Sequence, residues 1–252
     1  MTMDFTPEKY SELLSAIGSH ADGKCAMRHD VDLRPEYALR IATIENSLGF
    51  VATYYFRTMH FDSHAQTIKD IAALGHRVGY HYESLDTCHG DIEAAYHDFC
   101  LNLERLRRLA PVTTACAHGS PRSPHNSQDI WLHHDIHALG IDYEPMIDTD
   151  FERTLYLTDT GRRWDGWRMS VRDKVAKRQR QWEKEGLSFH TTDDIIRALQ
   201  NTAHPIHRYE LLVNTHPQRW MPFGTAWLAE AAVQQAKNIA KWCIVTINSR
   251  QP

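Results

Sequence analysis

The chain has 252 residues, 42% of them hydrophobic, and carries 28 Lys and Arg against 32 Asp and Glu. This composition excludes a disordered or collagen-like protein, and a formal net charge of -4 argues against nucleic acid as the main partner. No apolar run approaches the roughly 20 residues of a membrane span, and no signal-peptide pattern is present, so we expect a cytoplasmic protein without membrane insertion. Five cysteines without Cys-x-x-Cys spacing predict reduced thiols.

Short apolar runs alternate with longer helical patterns. In chain order, the pattern predicts a helix at 6–14, a strand at 25–27, a helix starting at 34, a strand at 51–56, a helix at 65–74, a strand at 77–80, a helix at 91–109, a strand at 112–117, a helix at 129–138, strands at 141–143, 154–157 and 187–189, a helix at 193–199, a strand at 211–214 and a helix at 227–242. Thr6 before Pro7, Gly49, and the capping-box spacing from Thr191 to Asp194 mark helix ends.

This alternation is typical of a parallel α/β fold. About seven or eight β/α units on a chain of this length predict a (β/α) barrel, with a doubly wound open sheet as the alternative. No linker or low-complexity segment divides the sequence, so we expect a single domain over residues 1–252. Residues 159–185 are rich in Arg, Lys and Trp and predict an irregular insertion, either a long loop or a helical excursion.

Histidine is unusually frequent, with 17 residues, and its placement follows the predicted strands. Five strand candidates run into a histidine at or near the carboxyl end, where parallel α/β folds place their catalytic groups. These residues are His29, His81, His118, His190 and His216. Any one of them could merely bond a neighbouring loop, but five together with nearby carboxylates favour a site for zinc or a related divalent ion. We assign no role to His60, His97, His133, His134, His137 and His204.

The segment 28–32 is the most informative, because Asp30 and Asp32 stand two residues apart at a predicted strand end. One carboxylate could bind the metal while the other takes a proton from a metal-bound water. The alternative is that one of them caps the helix beginning near Pro35.

These motifs, in this order, resemble the polysaccharide deacetylases of the NodB-homology group, carbohydrate esterase family four. Residues 29–32 resemble the family's first motif, 75–81 its Gly-His-x-x-Gly-x-His stretch, 118–121 its third motif and 211–216 its closing motif. The resemblance spans about residues 24–217 and implies a distorted (β/α)7 barrel, similar to a TIM barrel. It also implies Asp30 as general base, Asp32 and His81 as metal ligands, and His216 as general acid.

The sequence departs from the family pattern at the third ligand, since Leu85 stands where relatives have a second histidine of that motif. Our first choice for the replacement is His118, with Glu83 and His29 as alternatives. Val31 separates two aspartates that are adjacent in many relatives, so the division of roles between Asp30 and Asp32 stays open.

The arginine that pairs with the catalytic Asp in relatives is also missing, and Arg28 and Arg122 are the candidates to replace it. We predict substrate contacts from Arg28 and Glu83, and from Arg162 and Trp164, since Trp stacks on sugar rings and Arg pairs with carboxylate or phosphate. The alternative for the last two is a structural loop anchored by a buried Trp.

The resemblance implies a metal-dependent deacetylase that removes an N-acyl group, acetyl or formyl, from an acetamido sugar. Zinc is the expected ion, with cobalt and nickel as alternatives. The motif variant resembles a branch associated with bacterial surface polysaccharide or O-antigen assembly, where the substrate is linked to a nucleotide or a lipid. The alternatives are a different amidohydrolase on the same barrel, such as a ring-opening or deformylating enzyme, and a non-catalytic carbohydrate-binding relative. The sequence sets no oligomeric state.

Overall fold

A computed structural model describes residues 3–20, 24–119, 123–168, 170 and 173–248, with side chains up to residue 239. The strands are β1 Cys25–Val31, β2 Ala52–Phe56, β3 Arg77–Tyr82, β4 Ala115–Ala117, β5 Thr154–Thr158 and β6 Glu210–Thr215. The α-helices are α1 Pro7–Gly18, α2 Pro35–Ser47, α3 Ala65–Ala73, α4 Ser84–Thr87, α5 Ile92–Arg107, α6 Pro145–Asp148, α7 Ala176–Lys184, α8 Thr192–Gln200 and α9 Thr225–Asn248. Short 3₁₀ turns occur at Thr58–His60, Ser127–Leu132, His137–Leu139, Gly166–Arg168, Pro205–Arg208 and Pro217–Arg219.

The strands form one six-stranded parallel sheet in the order β4-β3-β2-β1-β6-β5. In the part of the sheet formed by β2, β3 and β4, Tyr55 lies opposite Gly79, and His81 lies opposite Cys116. The α/β class predicted from the alternation is therefore right. The predicted (β/α)7, TIM-like closed barrel is wrong, because the sheet is open, with β4 and β5 at its two edges.

The barrel prediction fails because two predicted strands are missing from the described sheet. At 187–189 the backbone ends α7 instead: Gly186 takes a left-handed conformation, φ 77°, and the Leu187 N–H donates to the Trp182 carbonyl at 2.8 Å. This is a helix-capping arrangement, and it occupies the Leu187 N–H, which a β-strand would need for pairing with a neighbouring strand. The run 141–143 makes one bridge, between Thr114 and Tyr143, and no strand.

The helix starts predicted from capping residues agree with the structure. The Thr6 hydroxyl accepts a hydrogen bond from the Lys9 N–H at 3.2 Å, so Thr6 caps α1 as predicted. The capping box at Thr191 and Asp194 is confirmed at the start of α8. The predicted helix at 129–138 is replaced by two 3₁₀ turns, and the predicted insertion contains both α7 and a 3₁₀ turn.

Chain contacts define two compact units, Arg28–Asp150 and the combination of Met1–Met27 with Phe151–Pro252. The core of the first contains an aromatic cluster, with Tyr80 and Tyr82 packed against Phe99 of α5. In the second, α1 packs on α8, and Phe5 and Tyr10 pack against Trp220. The expectation of a single domain stays a prediction. In the described part of the chain, no helix combines the length and apolar character needed to cross a membrane.

Candidate metal centre

Three strand ends in the Arg28–Asp150 unit bring two histidines and a carboxylate together. Asp32 directly follows β1, His81 lies near the end of β3, and His118 directly follows β4. The His118 N–H donates to the Tyr82 carbonyl at 2.7 Å, which fixes where the chain leaves β4. These are carboxyl ends of parallel strands, so the side chains gather at the edge of the sheet where α/β folds place their sites.

The ligand atoms of Asp32, His81 and His118 all lie within 4.8 Å of one another, and this group could hold a metal ion. The Oδ1 atom of Asp32 is 3.5 Å from the Nε2 atom of His81 and 3.6 Å from that of His118. Two ligand atoms of one tetrahedrally bound zinc ion lie about 3.4 Å apart, given bonds of roughly 2.1 Å. The residues therefore fit a small divalent ion in both donor type and spacing.

Each histidine has a polar group close to its other ring nitrogen, where metal-binding histidines almost always have a partner. The Nδ1–H of His81 donates to the Cys116 carbonyl at 2.9 Å, and Nδ1 of His118 lies 3.1 Å from Oε2 of Glu83. Both contacts orient Nε2 toward the group. Arg57 in turn binds both oxygens of Glu83, at 2.9 and 2.8 Å. Burial alone would raise the pKa of Glu83, but the His118 hydrogen bond and the Arg57 charge lower it to about 2.

Asp30 lies on the same side of β1 as Asp32, with its Oδ2 atom 3.9 Å from Nε2 of His81. Val31, between them, is fully buried. Arg28 donates to both oxygens of Asp30, at 2.9 and 2.7 Å. Its role as the replacement for the arginine absent from the third motif stays a prediction. The other candidate, Arg122, lies outside the described residues, as do Ser120 and Pro121 of that motif.

Gly79, in the segment that resembles the second motif, supports the Arg28–Asp30 pair indirectly. The guanidinium of Arg28 lies 5.5 Å from the ring centroid of Tyr55, whose hydroxyl bonds Thr114 at 2.7 Å. A Cβ at Gly79 would stand 2.4 Å from the Cδ1 atom of Tyr55, which is too close. Gly79 thus leaves room for the ring that packs under Arg28.

The structure also shows the surroundings of Leu85 and of the two alternative ligands, Glu83 and His29. Leu85 is buried in an apolar cluster with Ala95 and Ile130, so a leucine there serves the core. Glu83 contacts His118 rather than joining the donor group. His29 is fully buried, and its Nε2 atom lies 2.8 Å from Oε1 of Glu45.

Sequence reasoning missed two supports of this group. Arg57, which holds Glu83, directly follows β2, so the same strand-end rule applied to every strand would have found it. His60 is 3% exposed, and its Nε2 atom lies 3.1 Å from the Asp32 carbonyl. Nothing in the local pattern singles out His60, because it follows β2 in a turn that the sequence does not predict.

In the other unit, the predicted acid His216 follows β6 and is paired with a carboxylate that sequence reasoning passed over. Asp159 is fully buried, and its Oδ1 atom accepts from Nδ1 of His216 at 2.6 Å. Its Oδ2 atom accepts from the His216 N–H and from Nε1 of Trp220, and Arg219 donates to Oδ1 at 2.6 Å. Burial would raise the pKa of Asp159, but the charges of Arg219 and His216 lower it. Asp159 directly follows β5, so it too lies at a strand end.

The remaining predicted residues have packing partners. The Arg162 guanidinium stacks on the rings of Phe5 and Trp227, at 5.2 and 4.4 Å, and the buried Trp164 donates from Nε1 to Thr192 at 3.0 Å. Substrate contacts from Arg162 and Trp164 stay predictions, and these contacts agree with the alternative of a structural loop. His190 follows no strand; it is exposed.

No protein-family model, curated protein or solved structure matches the chain. The resemblance to NodB-homology deacetylases therefore depends on the motifs alone. The donor group formed by Asp32, His81 and His118 supports metal binding without reference to any family.

Proposed function

We propose that the chain is a zinc-dependent amide hydrolase that removes an N-acyl group from an acetamido sugar. The observation that carries this proposal is the donor group of Asp32, His81 and His118 beside the carboxylate Asp30. A carboxylate oxygen and two neutral imidazoles are the donor types of catalytic zinc sites, which keep a further position open for water or substrate. Cobalt or nickel would suit the same donors, and a cytoplasmic location and a nucleotide- or lipid-linked sugar belong to the proposal.

In this proposal, Asp32, His81 and His118 bind the ion, while the Cys116 carbonyl and Glu83 keep the imidazoles oriented. A divalent ion bound there would supply a Lewis acid for the acyl carbonyl and lower the pKa of bound water. Asp30 is the general base, and Arg28 holds its carboxylate in one orientation while leaving it further acceptor positions.

The resemblance assigns protonation of the leaving amine to His216. The Asp159 carboxylate accepts the Nδ1–H of this imidazole, which fixes the orientation of the ring. His216→Ala should therefore retain metal and lose turnover, as should Asp30→Asn.

The first experiment is metal analysis by mass spectrometry of the purified protein and three variants. We expect about one equivalent of zinc, cobalt or nickel in the wild type. His81→Ala and His118→Ala should lose it. His134→Ala is the matched control, because His134 pairs with Glu93 at the surface, and it should keep the metal. Metal retained in both site variants would refute the ligand assignment.

The second experiment measures acetate and formate release from acetamido sugars that are free, nucleotide-linked or lipid-linked. Turnover that disappears in Asp30→Asn while the metal stays supports the proposal. A fully active Asp30→Asn enzyme would refute the assignment of the base. Stoichiometric sugar binding without turnover would favour the carbohydrate-binding alternative, and turnover only on other amides would favour a different amidohydrolase.

A further inference from the structure

His81 belongs to a second group of potential ligands. Asp30, His81 and Cys116 also offer ligand atoms within 4.8 Å of one another. All three side chains are buried: they are 5%, 2% and 0% exposed. The second group has a different chemical character, because it contains a thiol and lacks the partly exposed Asp32 and His118.

The sheet itself creates this group. His81 on β3 and Cys116 on β4 are directly opposite in the parallel register, so their side chains project from the same face. The Nδ1–H of His81 is engaged by the Cys116 carbonyl, which leaves Nε2 as the metal-binding nitrogen for either group. The other described cysteines, Cys25, Cys88 and Cys100, belong to no such group of potential ligands.

We propose that Asp30, His81 and Cys116 form an inhibitory site for a thiophilic divalent cation, such as Cd²⁺ or excess Zn²⁺. Thiolate sulfur prefers soft cations, whereas the carboxylate and imidazoles of the first group do not discriminate in that way. On binding, the Cys116 S–H bond breaks, its proton goes to solvent and a sulfur–metal bond forms. Nothing is oxidised or reduced. Arg28 can stay bound to Asp30, because an ionised carboxylate has about four acceptor positions.

Inhibition is expected because the second site uses two residues, His81 and Asp30, that the proposed reaction needs. One Nε2 lone pair binds one ion, so His81 cannot serve both groups at once. The cation would also occupy Asp30, the general base. This consequence rests on the proposed function, whereas binding of the cation at Cys116 does not.

The binding test uses metal-free protein titrated with cadmium chloride and followed by thiolate-to-cadmium charge-transfer absorption in the ultraviolet. We expect one equivalent of absorption in the wild type and in His118→Ala, which removes a ligand of the first group only. Cys116→Ser should lose the band, because no thiolate remains in the group. Cys100→Ser is the matched control on α5 and should keep the band.

Circular dichroism and thermal unfolding verify that Cys116→Ser is folded, and Cys116→Ala provides a second variant. If both unfold, His81→Ala decides the matter, because it removes the shared imidazole and leaves every thiol in place. A band that survives in a folded Cys116 variant or in His81→Ala overturns the proposal. So does a band that is lost in Cys100→Ser.

The activity test measures the Cd²⁺ concentration that halves turnover, relative to the uninhibited rate of each variant. We expect Cys116→Ser to lose inhibition over the range of Cd²⁺ concentrations that halves wild-type turnover, and Cys100→Ser to be inhibited as the wild type is. Turnover unaffected by Cd²⁺ that fills the site would overturn the inhibitory role. A normal charge-transfer band in a protein that hydrolyses no amide would refute the proposed function and leave the cation site standing.

Discussion

Glu83 offers a direct test of how the candidate metal centre is held together. Glu83→Gln keeps the size of the side chain but removes its charge and one of its two acceptor oxygens. In the structure Oε2 contacts both Nδ1 of His118, at 3.1 Å, and Nη2 of Arg57, at 2.8 Å. With its oxygen at the place of Oε2, the amide would turn its NH₂ toward the Arg57 donors that Oε1 now accepts, so the variant side chain would hold His118 less firmly than the carboxylate does.

The size of the effect follows from the role of Glu83 as a partner of a ligand rather than a ligand. Loss of such a partner typically weakens metal binding by about 10- to 100-fold, or about 1.4–2.7 kcal/mol. Loss of His118 itself should abolish stoichiometric binding. Glu83→Gln should therefore give an intermediate affinity, and this rank order is the prediction.

The assay is competition for zinc against a chromophoric chelator, with circular dichroism as a measure of folding. Glu93→Gln is the matched control: Glu93 contacts Nε2 of His134 at the same 3.1 Å, but on the surface. We expect wild-type affinity for that variant. Wild-type affinity in Glu83→Gln, or an equal loss in Glu93→Gln, would refute the orienting role of Glu83.

Three further predictions concern stability. Gly79→Ala places a Cβ 2.4 Å from Tyr55 and should lower the free energy of unfolding in urea by about 1–3 kcal/mol. Leu85→His buries an imidazole in an apolar cluster and should cost at least about 2 kcal/mol in the same assay, without restoring zinc to His118→Ala. Asp159→Asn leaves Arg219 without its buried partner charge and should cost about 3–5 kcal/mol at pH 7. Because the pKa of Asp159 is lowered on folding, the stability that it contributes is complete above about pH 4 and is lost as the pH falls through the folded-state pKa; melting curves across that range measure this.

Each of these three variants has a control variant with the same substitution at an exposed or uncrowded position. Gly224→Ala should be neutral, because its Cβ meets no heavy atom within 4 Å. Leu132→His changes a leucine that is 79% exposed, and Asp62→Asn changes a carboxylate that is 89% exposed and pairs with Arg105. If a control costs as much as its buried counterpart, burial is not the cause. A wild type and Asp159→Asn that lose stability in parallel below pH 4 would contradict the sign derived for Asp159.

The sequence predicts the gathering of site residues better than the closure of the sheet. Strand ends are local features: apolar runs before Asp32, His81 and His118 suffice to bring the three together, because parallel strands present their carboxyl ends at one edge. Closure depends on every strand being present. The run at 187–189 has the right residues for a strand, but Gly186 turns the backbone into a helix cap, and single-residue φ is not visible in an apolar pattern.

The supporting residues were missed for a different reason. Arg57 and His60 act through contacts with residues that are distant in the chain, such as the Arg57 bonds to Glu83. Charged residues after strands and histidines in turns are common, so their type alone does not distinguish a support from a solvated side chain. The register of β3 against β4, which brings Cys116 opposite His81, is likewise a property of the folded sheet.

The departures from the family motifs form one pattern. Leu85 and His118 differ from the residues expected there, and Arg28 is a candidate for the missing arginine. Each has a clear environment: Leu85 fills a core cluster, His118 lies 3.6 Å from Asp32, and Arg28 binds both oxygens of Asp30. If the site had merely decayed, the buried charge of Asp30 would have lost its partner, at a cost of several kcal/mol. Instead, Arg28 on the same strand pairs with Asp30, and His118, directly after β4, joins Asp32 and His81 in the donor group. Both features concern the same group of potential ligands, so metal content is the decisive measurement.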